Sequence, residues 1–361
     1  MVITNKKNTI PVEIVLSPEW WYKNTGITFD RDFFFHPLKR VESEQRMEKE
    51  LYERWGKYGL GADKDKALPV IGAIHLAAGF MLSEMLGCEV KYSEGHPPAV
   101  VAANFESLEI DADVAFNSKV FKDFTCLVEK LKSKYGYLTG DVNWGGVLNI
   151  AMDLRGEQVL LDLLMLPDEV KTFFDAIAGV IERFTDFVGL ATGTTSVSVT
   201  RSVRHLPKPV FLHSECSHTM VSCEDYEQFL MPIDIKWSRT KECFGIHYCG
   251  NDPHRYAESF AKLPRLDFLD LGWGGDVVHL RKHLPGTFFN LRLSPVELVN
   301  MSAEEIQETI SNLVAESANP ALTGVCCINI DDKTEDSKIE TILKTVEQLR
   351  SKYAKDLAIQ G

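Results

Sequence analysis

From about residue 95 onward the chain alternates between two apolar patterns. Short runs rich in Val, Ile, Leu, Phe or Thr end in polar residues, and each is followed by a stretch whose apolar positions recur every three to four residues. The runs read as buried strands and the stretches as one face of a helix. Strands are predicted at Val12 to Leu16, Ala99 to Ala103, Tyr137 to Val142, Ser196 to Thr200, Val210 to His213, Phe244 to Tyr248, Phe268 to Leu271, Phe288 to Leu293 and Thr323 to Ile328. Helices are predicted at Ser118 to Lys134, Pro167 to Leu190, Cys223 to Glu242, Asp252 to Leu263, Asp276 to His283, Ser302 to Ala318 and Glu335 to Lys355. Such alternation implies parallel strands joined by right-handed crossovers, in an open doubly wound sheet or a closed (β/α)8 barrel. No G-x-G-x-x-G follows the first strands, and Gly59-Leu60-Gly61 does not follow a strand, which favours an α/β protein of the TIM-barrel type. Nine predicted strands are one more than a barrel needs, so at least one lies outside it.

The upstream part has a different texture. Met47, Leu51, Trp55 and Tyr58 give Arg40 to Lys66 one apolar helical face, and Trp20, Trp21, Tyr22, Phe29, Phe33, Phe34 and Phe35 form an aromatic segment. That segment reads either as a hydrophobic plug over one end of the barrel or as the wall of a pocket. With no repeat, low-complexity tract or Gly/Ser/Pro-rich linker, the expectation is one barrel over residues 1–361, with an N-terminal elaboration over 1–95 and the main barrel over 96–361.

Composition narrows the function. An apolar share of 45% and a charged share of 25% are those of an ordinary globular protein. A net charge of −13 repels nucleic acid and anionic membrane, so neither is an expected partner. No apolar run reaches the length of a membrane span, and the polar start with Lys6, Lys7 and Asn8 is unlike a secretory signal, so a cytoplasmic location is expected. There the eight cysteines are reduced, and thiols near histidines point to metal or catalysis rather than crosslinking.

In a barrel the chemistry sits at the C-terminal strand ends. Those ends carry Asp141 and Asn143, His213, Glu215 and Cys216, His247 and Cys249, Asp270, Arg292, and Cys326 with Cys327. The period of a strand is two, so His247 and Cys249 face the same side and can share one ion. With Cys326 at the last strand they make an imidazole and two thiolates, a set that suits zinc and leaves a fourth position for substrate, water or Asp270. The bland alternative is that buried cysteines and a strand-end histidine simply pack the core.

At these residues the chain resembles the uroporphyrinogen decarboxylase superfamily, from about Tyr137 to Ile339 and more weakly upstream. The carrying segments are Val221-Ser222-Cys223-Glu224-Asp225-Tyr226-Glu227-Gln228-Phe229-Leu230-Met231-Pro232, His247-Tyr248-Cys249-Gly250 and Leu291-Arg292-Leu293-Ser294-Pro295. Within it, the H-x-C followed far downstream by Cys326 is similar to the zinc site of corrinoid-linked methyltransferases, with Asp270 where that family has an acidic residue. The arginine-bearing R-Q-A-G-R-Y signature of true uroporphyrinogen decarboxylases is replaced by Leu16-Ser17-Pro18-Glu19-Trp20-Trp21-Tyr22, which removes the anion clamp a polycarboxylate tetrapyrrole needs.

The resemblance implies a zinc-dependent methyltransferase moving a methyl group between a small molecule and the cobalt of a corrinoid (cobalamin) carried on a partner protein. The aromatic segment suggests a methoxylated aromatic donor, hence O-demethylation. The alternatives are a methylcorrinoid:thiol methyltransferase of the coenzyme M type, a metal-free decarboxylase, and a non-enzymatic corrinoid- or tetrapyrrole-binding protein. Metal ligands are expected at His247, Cys249 and Cys326; acid, base or electrostatic roles at Asp270, Glu215 and His213; substrate contacts at Asp141, Asn143 and Trp21. Arg201 and Arg204 are candidates for a substrate carboxylate or a surface ion pair. Cys88, Cys126, Cys216, Cys223, Cys243 and Cys327 are expected to be packing residues.

Overall fold

Five consecutive strands of the second half are built from residues buried on both faces, as strands of a parallel sheet covered by helices must be. The computed structural model describes residues 9–71, 80–140, 145–193 and 209–359. Its strands are β1 (Val12–Leu16), β2 (Val70–Ile71), β3 (Glu89–Lys91), β4 (Ala99–Val101), β5 (Thr139–Gly140), β6 (Phe211–Ser214), β7 (Phe244–His247), β8 (Phe268–Asp270), β9 (Phe288–Leu293) and β10 (Thr323–Ile330). Six form one parallel sheet in the order β1-β10-β9-β8-β7-β6, and β2 pairs in parallel with β5. The order follows the chain, with β1 closing against β10, which is the wall of a TIM barrel.

Parity along the strands divides the wall into two faces. Leu212, Phe268 and Phe288 join Val210 and Cys243 in one apolar layer inside the wall, with the Phe268 and Phe288 rings stacked at 5.3 Å. One step towards the C-terminal ends stand Ser214, His247, Asp270 and Asn290, matched in register across β6 to β9. Phe211 and His213 face the other way and pack on Trp237 of the helix Met231–Thr240, at ring distances of 5.0 and 4.9 Å.

Three differences from the sequence expectation have physical reasons. The surplus strand, predicted at Ala99 to Ala103, is β4; it pairs antiparallel with β3, away from the parallel sheets, and its flanking residues are exposed. Strand β2 is only two residues long, too short to leave a period. The helix predicted at Cys223 to Glu242 is interrupted by a π-helical turn at Tyr226–Leu230, just before Pro232, whose ring has no N–H to donate. The predicted strand Ser196 to Thr200 lies outside the described residues.

The N-terminal elaboration follows β1 directly. Ser17 caps the helix Pro18–Thr25 by accepting from Trp20 N at 3.2 Å, and Asp30 caps Arg31–Phe35 before the long helix Pro37–Trp55. Trp20, Trp21, Phe29, Phe33 and Phe34 are at most 3% exposed. Their rings meet one another at 5.0 Å (Trp20–Trp21), 4.8 Å (Phe29–Phe33) and 5.0 Å (Phe33–Phe34). The aromatic segment is therefore packed into the main hydrophobic core. No helix among the described residues is long and apolar enough to cross a membrane.

Candidate metal centre

The register of β6 and β7 brings two thiols together. Ser214 pairs with His247 across the sheet, and Cys216 and Cys249 each stand two residues further on. One ligand atom from each of Cys216, His247 and Cys249 lies within 4.8 Å of the others. Cys249 Sγ is 2.7 Å from His247 Nε2 and 2.8 Å from Cys216 Sγ. His247 is the last residue of β7, so the cluster sits at the C-terminal end of the wall, where barrels carry their chemistry.

The surroundings hold these groups in place. The turn Cys216–Met220 is pinned where Tyr256 Oη donates to His218 O at 2.7 Å, and where Ser217 N donates to Asn149 Oδ1 at 2.9 Å. Beyond the strand ends, Gly272 lies against the carbonyl of Gly250 so closely that a Cβ there would be 1.5 Å from that oxygen. The loops after β7 and β8 can meet in this way only with glycine.

Behind the cluster is a buried charge network. Asp270 Oδ2 accepts from His247 Nδ1 at 2.6 Å and from Arg292 Nη2 at 3.1 Å, and its Oδ1 accepts from Asn290 Nδ2 at 3.0 Å. Arg292 Nη2 is also 3.0 Å from His247 Nδ1, but that nitrogen holds its proton for Asp270, so the shared carboxylate is what binds the two cations. The Cys216 thiol donating to it, with His247 and Arg292 alongside, holds Cys249 well below the ordinary thiol range despite burial. Cys216 is pushed up by Cys249 and by burial. Burial lowers His247, but Cys249 and Asp270 outweigh it and push the imidazole up to about 9. Burial likewise raises Asp270, and Arg292 and His247 reverse this and keep it below its usual value. Cys249, His247, Asp270 and Arg292 thus each shift towards the charged form, as alternating acids and bases packed against one another do.

The donor set fits zinc. Two sulfurs and an imidazole nitrogen converge, and the carboxylate on Nδ1 fixes the ring so that Nε2 faces the thiolate, the arrangement that orients histidines at metal sites. Near these donors, Ser214 Oγ, Asn290 Oδ1 and Arg292 Nε are buried with no partner among the described residues.

The other expected site residues fall in several places. Cys326 is buried on β10 opposite Arg292, with Sγ 4.0 Å from Asp270 Oδ1, and is not among the three converging ligands. Glu215 is fully buried and accepts from the backbone N–H of Leu148 at 2.7 Å, Asn149 at 3.2 Å and Ser217 at 3.2 Å. It thereby caps the helix Val147–Arg155, whose N-cap Gly146 has no side chain; a Cβ there would be 2.3 Å from the Glu215 carboxylate.

His213 lies on the outer face of β6, with Nδ1 2.7 Å from Asp234 and Val147 N donating to Nε2 at 3.2 Å. The backbone donor at Nε2 leaves that nitrogen bare, so the ring is neutral with its proton on Nδ1 facing Asp234. Trp21 is in the aromatic core at 3% exposure. Asp141, Asn143, Arg201 and Arg204 lie outside the described residues. Cys216, expected to be a packing residue, is the one the sequence reading missed; its signal is the matched offset from paired residues of β6 and β7.

No family model matches the chain, and no curated protein matches it by sequence. Solved structures do match in fold. A methyltransferase from Methanosarcina mazei superposes with a TM-score of 0.64 at 14% identity, over 96% of this chain and 95% of that one. A B12-independent methionine synthase from Shewanella sp. W3-18-1, solved in complex with selenomethionine, superposes with a TM-score of 0.54 at 9% identity, over 98% of this chain and 99% of that one. At such identities the likeness establishes the fold.

Proposed function

We propose that this chain is a zinc-dependent methyltransferase that moves a methyl group between a small molecule and the cobalt of a corrinoid protein. The observation that carries the proposal is the convergence of Cys216 Sγ, His247 Nε2 and Cys249 Sγ at a barrel mouth, with Asp270 on the far nitrogen of His247. Cys216, His247 and Cys249 would hold the ion. Zinc, when bound, supplies Lewis acidity that polarises a methyl donor's oxygen or keeps a thiol acceptor ionised. The chain's own part is positional. Asp270 aims His247 and accepts its Nδ1 proton throughout, Arg292 neutralises Asp270, and Glu215 anchors the helix whose Asn149 holds the Cys216 turn. A corrinoid domain would dock over the open strand ends. Both structural neighbours bear names of methyl-transferring enzymes, which supports the chemistry without choosing the substrate.

A second reading, methyl transfer to a thiol, gains from the burial of Trp20, Trp21, Phe29, Phe33 and Phe34. Rings packed against one another in the core offer a methoxylated aromatic donor less wall than open rings would.

Metal analysis of the purified, zinc-reconstituted chain should give close to one equivalent, falling sharply in Cys216→Ala and Cys249→Ala and persisting in Cys326→Ala. Zinc below a few tenths of an equivalent in the unsubstituted protein would reject the proposal. Loss in Cys326→Ala with retention in Cys216→Ala would exchange the third ligand. Corrinoid methylation, followed spectrally with methoxyaromatic, methylamine and methylthiol donors and thiol acceptors, identifies the substrate.

A further inference from the structure

Of the eight cysteines, Cys216 and Cys249 combine two properties: each is partly open to solvent, and their sulfurs stand 2.8 Å apart. Cys88, Cys243, Cys326 and Cys327 are buried, and the thiol of Cys223, also partly open, donates to the backbone carbonyl of Arg255. The backbone favours a bond between the pair. Ser214 and His247 are paired neighbours, and each cysteine lies two residues beyond its partner, past the end of its strand. Paired residues of adjacent strands stand about 4.8 Å apart, within the Cα separation of about 4.4 to 6.8 Å that a disulfide spans, and from there the two sulfurs come together at 2.8 Å.

We infer that Cys216 and Cys249 are a reversible redox pair, closing to a disulfide under hydroperoxide and opening the metal site as they do. One sulfur attacks a peroxide oxygen: an S–O bond forms, the O–O bond breaks, and water leaves. The other sulfur then attacks the oxidised one: the S–S bond forms, the S–O bond breaks, and a second water leaves with the remaining thiol proton. Two thiols lose two electrons and hydrogen peroxide gains them. A disulfide sulfur no longer ligates as thiolate, so the same event removes two of three proposed ligands and releases the ion. A dithiol reductant reverses the bond. The crosslink rests on geometry alone; only the ion release rests on the zinc reading.

The test uses the full chain, zinc-loaded and chelator-treated, exposed to hydrogen peroxide in small excess. Free thiols should fall from eight to six, peptide mass analysis should find Cys216 joined to Cys249, and dithiothreitol should restore both thiols. In the loaded protein, zinc should appear in a chromogenic chelator in step with the crosslink. Cys126→Ser should behave as the unsubstituted protein. Cys216→Ser, checked for folding by circular dichroism, should give no crosslink and leave a dimedone-reactive sulfur at Cys249. A crosslink elsewhere, or no crosslink with zinc bound or removed, overturns the redox pair and leaves the metal reading standing. A crosslink in a protein that never takes up zinc supports the pair and rejects the metal reading.

Discussion

Replacing Asp270 by Asn tests whether the buried carboxylate serves the metal site or only the fold. Asp270 accepts from His247 Nδ1 at 2.6 Å, Arg292 Nη2 at 3.1 Å and Asn290 Nδ2 at 3.0 Å. Asn keeps the shape but has a single carbonyl oxygen, so at least one donor meets an NH2 group instead. The charge is lost as well, and Arg292, almost fully buried, loses its carboxylate partner and keeps the more distant Cys249 sulfur at 3.9 Å. Breaking a buried ion pair by removing one partner costs about 3–5 kcal/mol, and the thiolate's remaining attraction places this case near the lower end. Against a total stability of about 5–15 kcal/mol for a typical chain, the loss is large and readable in urea.

The functional consequence is separate. With no carboxylate on Nδ1, His247 is free to turn and its Nε2 is less basic, which lowers metal affinity about 10- to 100-fold. Urea unfolding of the metal-free protein measures the first effect, and zinc competition against a chromophoric chelator under folding conditions measures the second. Lower stability with unchanged zinc affinity would refute the orienting role. Complete loss of zinc from a folded variant would instead make Asp270 a ligand.

Metal binding should depend steeply on pH. His247 pushed up to about 9 and Cys216 pushed up as well both carry protons near neutrality, whereas Cys249 does not. Each zinc should therefore release about two protons below pH 9, so that affinity rises with pH and the slope falls to about one above it; release of three in an unbuffered titration would show that Cys249 is a thiol. Glu215→Gln should cost about 1–3 kcal/mol in urea, because an NH2 group replaces one of the two oxygens that accept from the backbone N–H groups of Leu148, Asn149 and Ser217, with zinc content unchanged. Trp21→Ala should lose about 3–5 kcal/mol in thermal or urea unfolding, as a large core truncation does, while a Trp21→Phe variant keeps its KM. A raised KM in Trp21→Phe at unchanged stability would return that side chain to a substrate pocket.

The parts of this fold that could be read from sequence are those whose burial is total. Strands β6 to β10 are short, bounded by turn residues and, Asn329 apart, buried on both faces, so the sequence pattern places their limits to within a few residues. The same reading fails at Ala99 to Ala103, because a run with adjacent valines, Val100 and Val101, has the composition of a barrel strand without its burial. Period two correctly put His247 and Cys249 on one side. Applied to β6, it also sends His213 to the face opposite Ser214, towards Trp237 and away from the strand-end cluster.

What no period along a single strand contains is the stagger between strands. Cys216 lies beyond β6, in a turn with no strand pattern, and nothing local separates it from a packing cysteine. The pairing of Ser214 with His247 supplies the missing step, since equal offsets from a paired position put two side chains at one level. Shift β6 by one residue against β7 and Ser217 would stand beside Cys249 in place of Cys216. The third converging donor is thus a property of register, which the apolar layer of Val210, Leu212, Cys243, Phe268 and Phe288 helps select inside the wall. A core substitution there, Leu212→Ala for example, should weaken zinc binding without touching a ligand.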